Sequence, residues 1–271
     1  MKKTDYSIDL SKTRKFIIKL TLQAGEILKK HFAAKKYSVT QKSGVDFTTQ
    51  ADTEADEFLR KNILKKYPRS NFLTEETAPK DYSIFKNTVN LWVIDPLDGT
   101  INFSRGNPNF AISIALVSKG IPELGVIYKP ITKEIYWAQE NIKYAFLNDK
   151  PIYVSSTNNL RESVIACDWA WSLEKRLNVV KWLHNISPYV RQIKSMGSAV
   201  ADLASLANGK IDVYIHSGLK PWDIAAPALI IQKAGGKVTV PSGNKWNAFQ
   251  SDILASNNIL HRRIINLINC S

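Results

Sequence analysis

Asp95 and Asp98 sit in the segment Trp92-Val93-Ile94-Asp95-Pro96-Leu97-Asp98-Gly99-Thr100-Ile101-Asn102-Phe103, where an apolar run ends in two carboxylates, a proline, a glycine and a hydroxyl. Leu91 to Ile94 reads as a buried strand that delivers Asp95 at its end, after which Pro96 fixes the backbone and Gly99 permits a tight turn. Carboxylates this close repel each other unless a cation lies between them. For ligands that are all oxygen, the matching ion is Mg²⁺ or a similar hard cation. The same residues also make an ordinary turn after a strand, and this segment alone leaves both readings open. Other acids stand in comparable places. Asn71-Phe72-Leu73-Thr74 reads as a short strand running into Glu75-Glu76, which repeats the pattern of acids at a strand end. Asp52 opens a helix, where a plain N-cap is the alternative. Asp223 falls in the first turn of another helix, where its charge suits the helix dipole.

The elements that must position these acids follow from periodicity. Phe16, Ile17, Leu20, Ala24, Ile27, Leu28 and Phe32 make a helical stripe over residues 11–34, with lysines opposite. Ser43-Gly44 marks a turn in a short hairpin or loop, and Ala55, Phe58, Leu59, Ile63 and Leu64 form one side of the helix that Asp52 opens. Residues 109–118, 123–128 and 134–138 are strand-like and read as an antiparallel meander, and residues 143–151 close a first lobe spanning 1–150. The second lobe, 151–271, alternates strands (163–166, 190–194, 211–215) with helices. The helix over 172–184 is expected to turn Leu173, Leu177, Val180 and Leu183 inward. The next spans 198–208, and the last begins near Trp222 and ends at Gly235-Gly236. Together these predict layered sheets sandwiched between helices, an α/β architecture.

Composition narrows the partners. Hydrophobic content of 44% and charged content of 23% over 271 residues suit a globular protein with a large core. No apolar run approaches the roughly 20 residues that span a bilayer, and the N-terminal segment lacks the apolar centre of a signal peptide, so a cytoplasmic protein is expected. Cys167 and Cys270 lie far apart and outside any His/Cys cluster, which argues for free, inert thiols rather than a disulfide or zinc site. The net charge of +13 comes largely from lysines scattered among acids, so nucleic-acid binding is not expected, although the excess can steer anionic substrates.

Taken together, the motifs resemble those of the inositol monophosphatase family. Trp92 to Phe103 looks like its first signature and Trp222 to Gly236 its second. Gly44-Val45-Asp46 through Asp52, and Thr74-Glu75-Glu76, resemble its two upstream elements in the right order, and Gly197-Ser198-Ala199 resembles its small-residue substrate loop. The resemblance covers essentially the whole chain. It implies a pseudo-symmetric five-layer αβαβα sandwich, a homodimer, and hydrolysis of phosphate monoesters with two or three Mg²⁺ ions and sensitivity to Li⁺. Carried over, Glu75, Asp95, the Leu97 carbonyl, Asp98 and Asp223 are metal ligands, with Glu76 near a more weakly held ion. Asp52 and Thr100 orient the attacking water, and Gly99 and Thr100 offer backbone donors to the phosphate.

The chemistry independently asks for such a set. A phosphate monoester dianion repels hydroxide, so catalysis is mainly charge neutralisation and positioning. Five acids with no His or Cys nearby fit that task better than a covalent route, which needs a positioned nucleophile. Two departures from the family pattern bear on the substrate. His216 stands where inositol-selective members carry a glutamate, and Lys220 where they place a histidine. Both positions read as substrate contacts, along with Gly197, Ser198, Ala199 and Asp223. A small sugar or polyol phosphate is expected, with fructose-1,6-bisphosphate favoured over inositol 1-phosphate because the sequence offers cations there. Histidinol phosphate and 3′-phosphoadenosine 5′-phosphate are the alternatives, and from another class, an adaptor that binds RNA or a transcription complex. Pro227 replaces a common glycine and is expected in the helix's first turn.

Overall fold

The computed structural model describes residues 8–35, 39–43 and 46–270. Along the chain run α1 (Leu10–Ala34), β1 (Val39–Ser43), β2 (Asp46–Thr49), α2 (Gln50–Lys66), β3 (Asn71–Thr74), β4 (Leu91–Asp98), α3 (Thr100–Ser104), β5 (Ala111–Ser118), β6 (Ile121–Lys129), β7 (Glu134–Gln139), β8 (Ala145–Leu147) and β9 (Lys150–Ile152). Then follow β10 (Val164–Ala166), α4 (Leu173–Ile186), β11 (Gln192–Lys194), α5 (Ala199–Ala207), β12 (Val213–Ser217), α6 (Pro221–Lys233), β13 (Lys237–Thr239), β14 (Asp252–Ser256) and α7 (His261–Ile268).

Strands β3 to β9 form one sheet in chain order, with β3 parallel to β4 and antiparallel pairing from there on. A second sheet has the order β11-β10-β12-β14-β13. Three cores hold the layers together. Ile17, Leu20, Ala24 and Leu28 of α1 and Ala55, Leu59 and Ile63 of α2 pack on the outer face of the first sheet against Trp92, Ile94 and Ile114. Helices α5 and α6 fill the space between the sheets. Helices α4 and α7 cover the far side of the second sheet through Val179, Ile186, Ile264 and Ile268. The result is the expected five-layer αβαβα sandwich.

The middle layer sets the site, because α6 lies close on β6. A Cβ placed on Gly125 would sit 2.9 Å from the carbonyl oxygen of Ala226, so the missing side chain lets helix and strand backbones touch. The Ser113 hydroxyl, on β5, donates to the Trp222 carbonyl at 2.9 Å and pins the start of α6.

Several readings change. The hairpin is present as antiparallel β1 and β2, while Gly44 and Val45 of its turn lie outside the described residues. Helix α4 turns Val179 and Ile186 inward and leaves Leu173, Leu177 and Val180 exposed at 71%, 57% and 46%, with Leu183 half-buried. Its sequence carries apolar residues on two faces, and the sheet takes the other one. Leu64 on α2 is likewise exposed. Pro227 lies in the second turn of α6, where it deprives the helix of one backbone donor. Strand β14 and helix α7 follow from the apolar run Ile253-Leu254-Ala255 and the spacing of Ile264, Ile265 and Ile268, and β13 pairs antiparallel with β14; none of the three was expected from the sequence. Cys167 is buried and Cys270 exposed, and both are free; burial pushes the Cys167 thiol up to about 12, which makes it inert.

The contact at Gly125 yields a first prediction. Gly125→Val forces α6 off the sheet, and its unfolding free energy in urea is expected to fall by about 1–3 kcal/mol. A variant as stable as the parent would show that α6 has room the packing denies it.

Candidate active site

The acids are brought together by strand register. Thr74 pairs with Ile94 across the parallel β3/β4 ladder, which sets Glu75 level with Asp95, and the Glu75 N–H donates to the Ile94 carbonyl at 3.1 Å. The β4/β5 register shifts between Asp95 and Asp98, over Pro96 and Leu97. Asp95 is buried, and its Oδ1 accepts the Leu97 N–H at 3.0 Å. Gly99 then turns the chain with φ +93, a region that favours glycine, in a space where a Cβ would lie 3.1 Å from both the Asn109 carbonyl oxygen and Ser198 Cβ. Asp223, from the first turn of α6, completes the group. Its Oδ2 accepts the Lys220 N–H at 2.8 Å. Asp95, Asp98 and Asp223 each place an oxygen within 4.8 Å of the others.

Asp98 is fixed by the head of α5, since its Oδ2 accepts the Ser198 hydroxyl and, at 2.9 Å, the Val200 N–H of α5. Asp52 is not the cap of α2. Thr49 is, and Asp52, three residues on, returns the bond by accepting the Thr49 N–H at 2.9 Å and the Thr49 hydroxyl at 2.5 Å on Oδ2. Asp52 Oδ1 and the Leu97 carbonyl oxygen each lie 3.2 Å from the Thr100 hydroxyl, which has one hydrogen to donate. Glu76 accepts the Thr48 hydroxyl at 3.1 Å.

His216 and Lys220 differ in character. Alternation along β12 turns Val213 and Ile215 to the outer core and Tyr214 and His216 to the face of α5 and α6. Only 3% of His216 is exposed, burial pushes its pKa down to about 4, and its Nδ1 has no hydrogen-bond partner. The expectation of two cations therefore fails at His216, which is neutral at pH 7 because the charge of Asp252 only partly offsets its desolvation. Lys220 is exposed, and its charge favours ionisation of Asp223.

Around the triad, burial and repulsion act together. Burial raises Asp95 well above the carboxylate range, with Glu75, Asp98 and Asp223 adding to it. Burial, then the charge of Asp223, pushes Asp98 up to about 7 against the hydrogen bonds from Ser198 and Val200. Burial pushes Asp223 up to about 6. A hard divalent cation fits this donor set of convergent oxygens, since its charge offsets the repulsion that raises these pKa values.

Linkage gives the sign of the pH effect. The folded chain keeps protons that the unfolded chain releases near pH 4, so the cluster's contribution to stability is largest below that pH. It is lost as pH rises through about 6 to 7. Removing divalent cations with a chelator is therefore expected to lower Tm more at about pH 8 than at about pH 5.5, and Mg²⁺ binding near pH 6.5 is expected to release protons, read by calorimetry in two buffers. Equal losses at both pH values with no proton release would separate this cluster from metal binding.

The structure also shows groups the sequence analysis passed over. Asp168, two residues past β10, holds the backbone of the substrate-like loop, and Asn102 and Asn109 hold the same loop from the other side. An acid just beyond a strand end was the signal that drew attention to Glu75 and Asp95, and it also marks Asp168.

Comparison with known proteins agrees with this geometry. The sequence profile of the inositol monophosphatase family matches residues 9–271. A "Fructose-1,6-bisphosphatase/inositol-1-monophosphatase" of Thermotoga maritima is 35% identical over 256 residues, 94% of each chain. A "Nus factor SuhB" of Pasteurella multocida is 33% identical over 93% of each. The crystal structure of the extragenic suppressor protein suhB from Bartonella henselae superposes with a TM-score of 0.86 at 31% identity, covering 93% of this chain and 96% of that one. With one fold, one order of motifs and a match along nearly its whole length, the chain belongs to the inositol monophosphatase family.

Proposed function

We propose that this chain is a metal-dependent phosphomonoesterase acting on a small sugar or polyol phosphate. The observation that carries this reading is the convergence of Asp95, Asp98 and Asp223, from separate elements of both lobes, within 4.8 Å. Glu75, Asp95, the Leu97 carbonyl, Asp98 and Asp223 would hold Mg²⁺, with Glu76 toward a further ion. A hard divalent ion held there would supply charge neutralisation for the phosphate and Lewis acidity toward water.

The protein's own part is orientation. Thr49 holds Asp52 Oδ2, and Asp52 Oδ1 accepts the Thr100 hydroxyl. With its hydrogen committed, Thr100 Oγ1 is left as an acceptor, and it aims a water by taking one of that water's hydrogens. The Gly99 and Thr100 N–H groups donate to the phosphate. Gly197, Ser198, Ala199 and Lys220 face the leaving group, whereas His216, buried and neutral, offers it no charge. Lys220 gives the mouth a positive charge suited to a second anionic group, and the relative from Thermotoga maritima has fructose-1,6-bisphosphatase in its name.

Homodimerisation belongs to the same proposal and is supported by the exposed apolar stripe of Leu173, Leu177 and Val180 beside Trp169 and Trp171. Sedimentation equilibrium measures it, and a monomer at micromolar concentration removes it. A second reading, an RNA-binding adaptor, draws on the net charge of +13 and the Nus factor relative. It requires RNA binding by the metal-stripped protein that weakens steeply with salt.

Phosphate release is to be measured over a panel containing fructose-1,6-bisphosphate, inositol 1-phosphate, histidinol phosphate and 3′-phosphoadenosine 5′-phosphate, with and without Mg²⁺ and Li⁺. Mg²⁺-dependent release from at least one is expected, and release from none overturns the enzyme reading. Against the preferred substrate, Asp98→Asn is expected to lower turnover by at least about 10³-fold while the chain stays folded. Thr100→Ala and Asp52→Asn should be non-additive, the double variant scarcely slower than the worse single one. Strictly multiplicative losses would leave Asp52 with only its role at the head of α2.

A further inference from the structure

Three residues, Ser195, Met196 and Gly197, lead into α5 and wall a cleft of about 460 Å³ shared with Asn102, Asn107 and Asn109. They are held from two sides. The Met196 carbonyl accepts the Asn102 amide at 2.8 Å and the Asn109 amide at 3.0 Å, both from the first lobe. Opposite, Asp168 Oδ1 accepts the Ser195 hydroxyl and the Gly197 N–H, each at 2.9 Å. A single carboxylate oxygen thus fixes both ends of the turn. Asp168 is itself held, since Tyr214 donates its hydroxyl to Oδ2 at 3.3 Å.

Asp202, on α5, lies beside Asp168 and is 1% exposed, with neither carboxyl oxygen in a normal hydrogen bond. Burial, then the charge of Asp168, pushes it up to about 9. Burial raises Asp168 as well, while the hydrogen bonds from Gly197, Ser195 and Tyr214 favour its ionised form.

We propose that Asp168 is a positioning residue for the leaving group, setting the Ser195–Gly197 turn so that the Gly197-Ser198-Ala199 segment meets the substrate in register. This rests on the phosphatase reading and adds to it a residue outside the family's motifs. The effect is expected chiefly on the leaving-group side. Asp98 accepts both the Ser198 hydroxyl and the Val200 N–H, and the second of these, inside α5, keeps it in place when the turn before α5 loosens. An interaction that orients only the leaving group acts on its binding, and small misplacements at such a distance are costly.

The test uses the full chain with Mg²⁺, the substrate that the unaltered protein hydrolyses best, and inorganic phosphate as an inhibitor that reaches only the cradle. Asp168→Ala is expected to raise KM by about 10-fold or more while the inhibition constant of phosphate stays within about twofold. Asp168→Asn keeps an oxygen acceptor for Ser195 and Gly197, and it is expected to restore KM to within about threefold of the parent. Should Asp168→Ala fail to fold, Ser195→Ala removes one of the two donors and carries the same comparison with a smaller rise. An unchanged KM, a KM and phosphate constant that rise together, or an Asn variant as impaired as Ala overturns the proposal. An unaltered protein that hydrolyses no substrate removes the phosphatase reading, and this inference with it. One that works beside an unaffected Asp168→Ala removes the inference alone.

Discussion

Mutual repulsion among Asp95, Asp98 and Asp223 is the constraint on which the rest of the structure depends. Three carboxylates within 4.8 Å, one buried and two half-buried, oppose folding, and the surrounding architecture holds them there nonetheless. The β3/β4 ladder fixes Glu75 beside Asp95, and the bulge over Pro96 and Leu97 re-aims Asp98. The bare strand surface at Gly125 lets α6 bring Asp223 down onto the sheet. Each is a rigid element packed in a core, so the acids meet without relying on flexible side chains to find one another. Strain of this kind tends to collect where a ligand offsets it.

Much of this was legible because the chemistry lies in short local patterns. An apolar run that ends in Asp-Pro-Leu-Asp-Gly-Thr states strand, bulge and turn in consecutive residues, and Trp222-Asp223 after Pro221 states the start of a helix. Sheets sandwiched between helices followed from the periodicities, and the five-layer order from the family resemblance. Misreadings arose where two local solutions were equally good. Helix α4 has apolar residues on two faces, and only the position of β10 and β12 decides which one is buried. Asp52 reads as a cap because Asp favours that place, yet Thr49 is one of the preferred caps as well and stands at the better end of the strand.

Properties that depend on contacts across the fold were not legible. The charge state of His216 follows from its burial between layers, and nothing adjacent in sequence announces it. Asp168 sits in an unremarked stretch, Cys167-Asp168-Trp169, and gains its meaning only when β10 sets it against Ser195 and Gly197, nearly thirty residues on. Ser198 was read as part of a substrate loop, and in the structure its hydroxyl also donates to Asp98, a hundred residues earlier.

That last separation has a consequence for how the protein comes into being. Asp98 is clasped by Ser198 and Val200, and Ser113 by the backbone at Trp222, so the centre is stitched from segments about a hundred residues apart. Closing such long loops is entropically slow and precedes any reward from the contacts it makes. During synthesis the first sheet emerges and can pair strand by strand while α6 is still unmade. The acidic centre therefore comes into existence only when the last helices dock, and possession of a working centre certifies that the whole chain has folded.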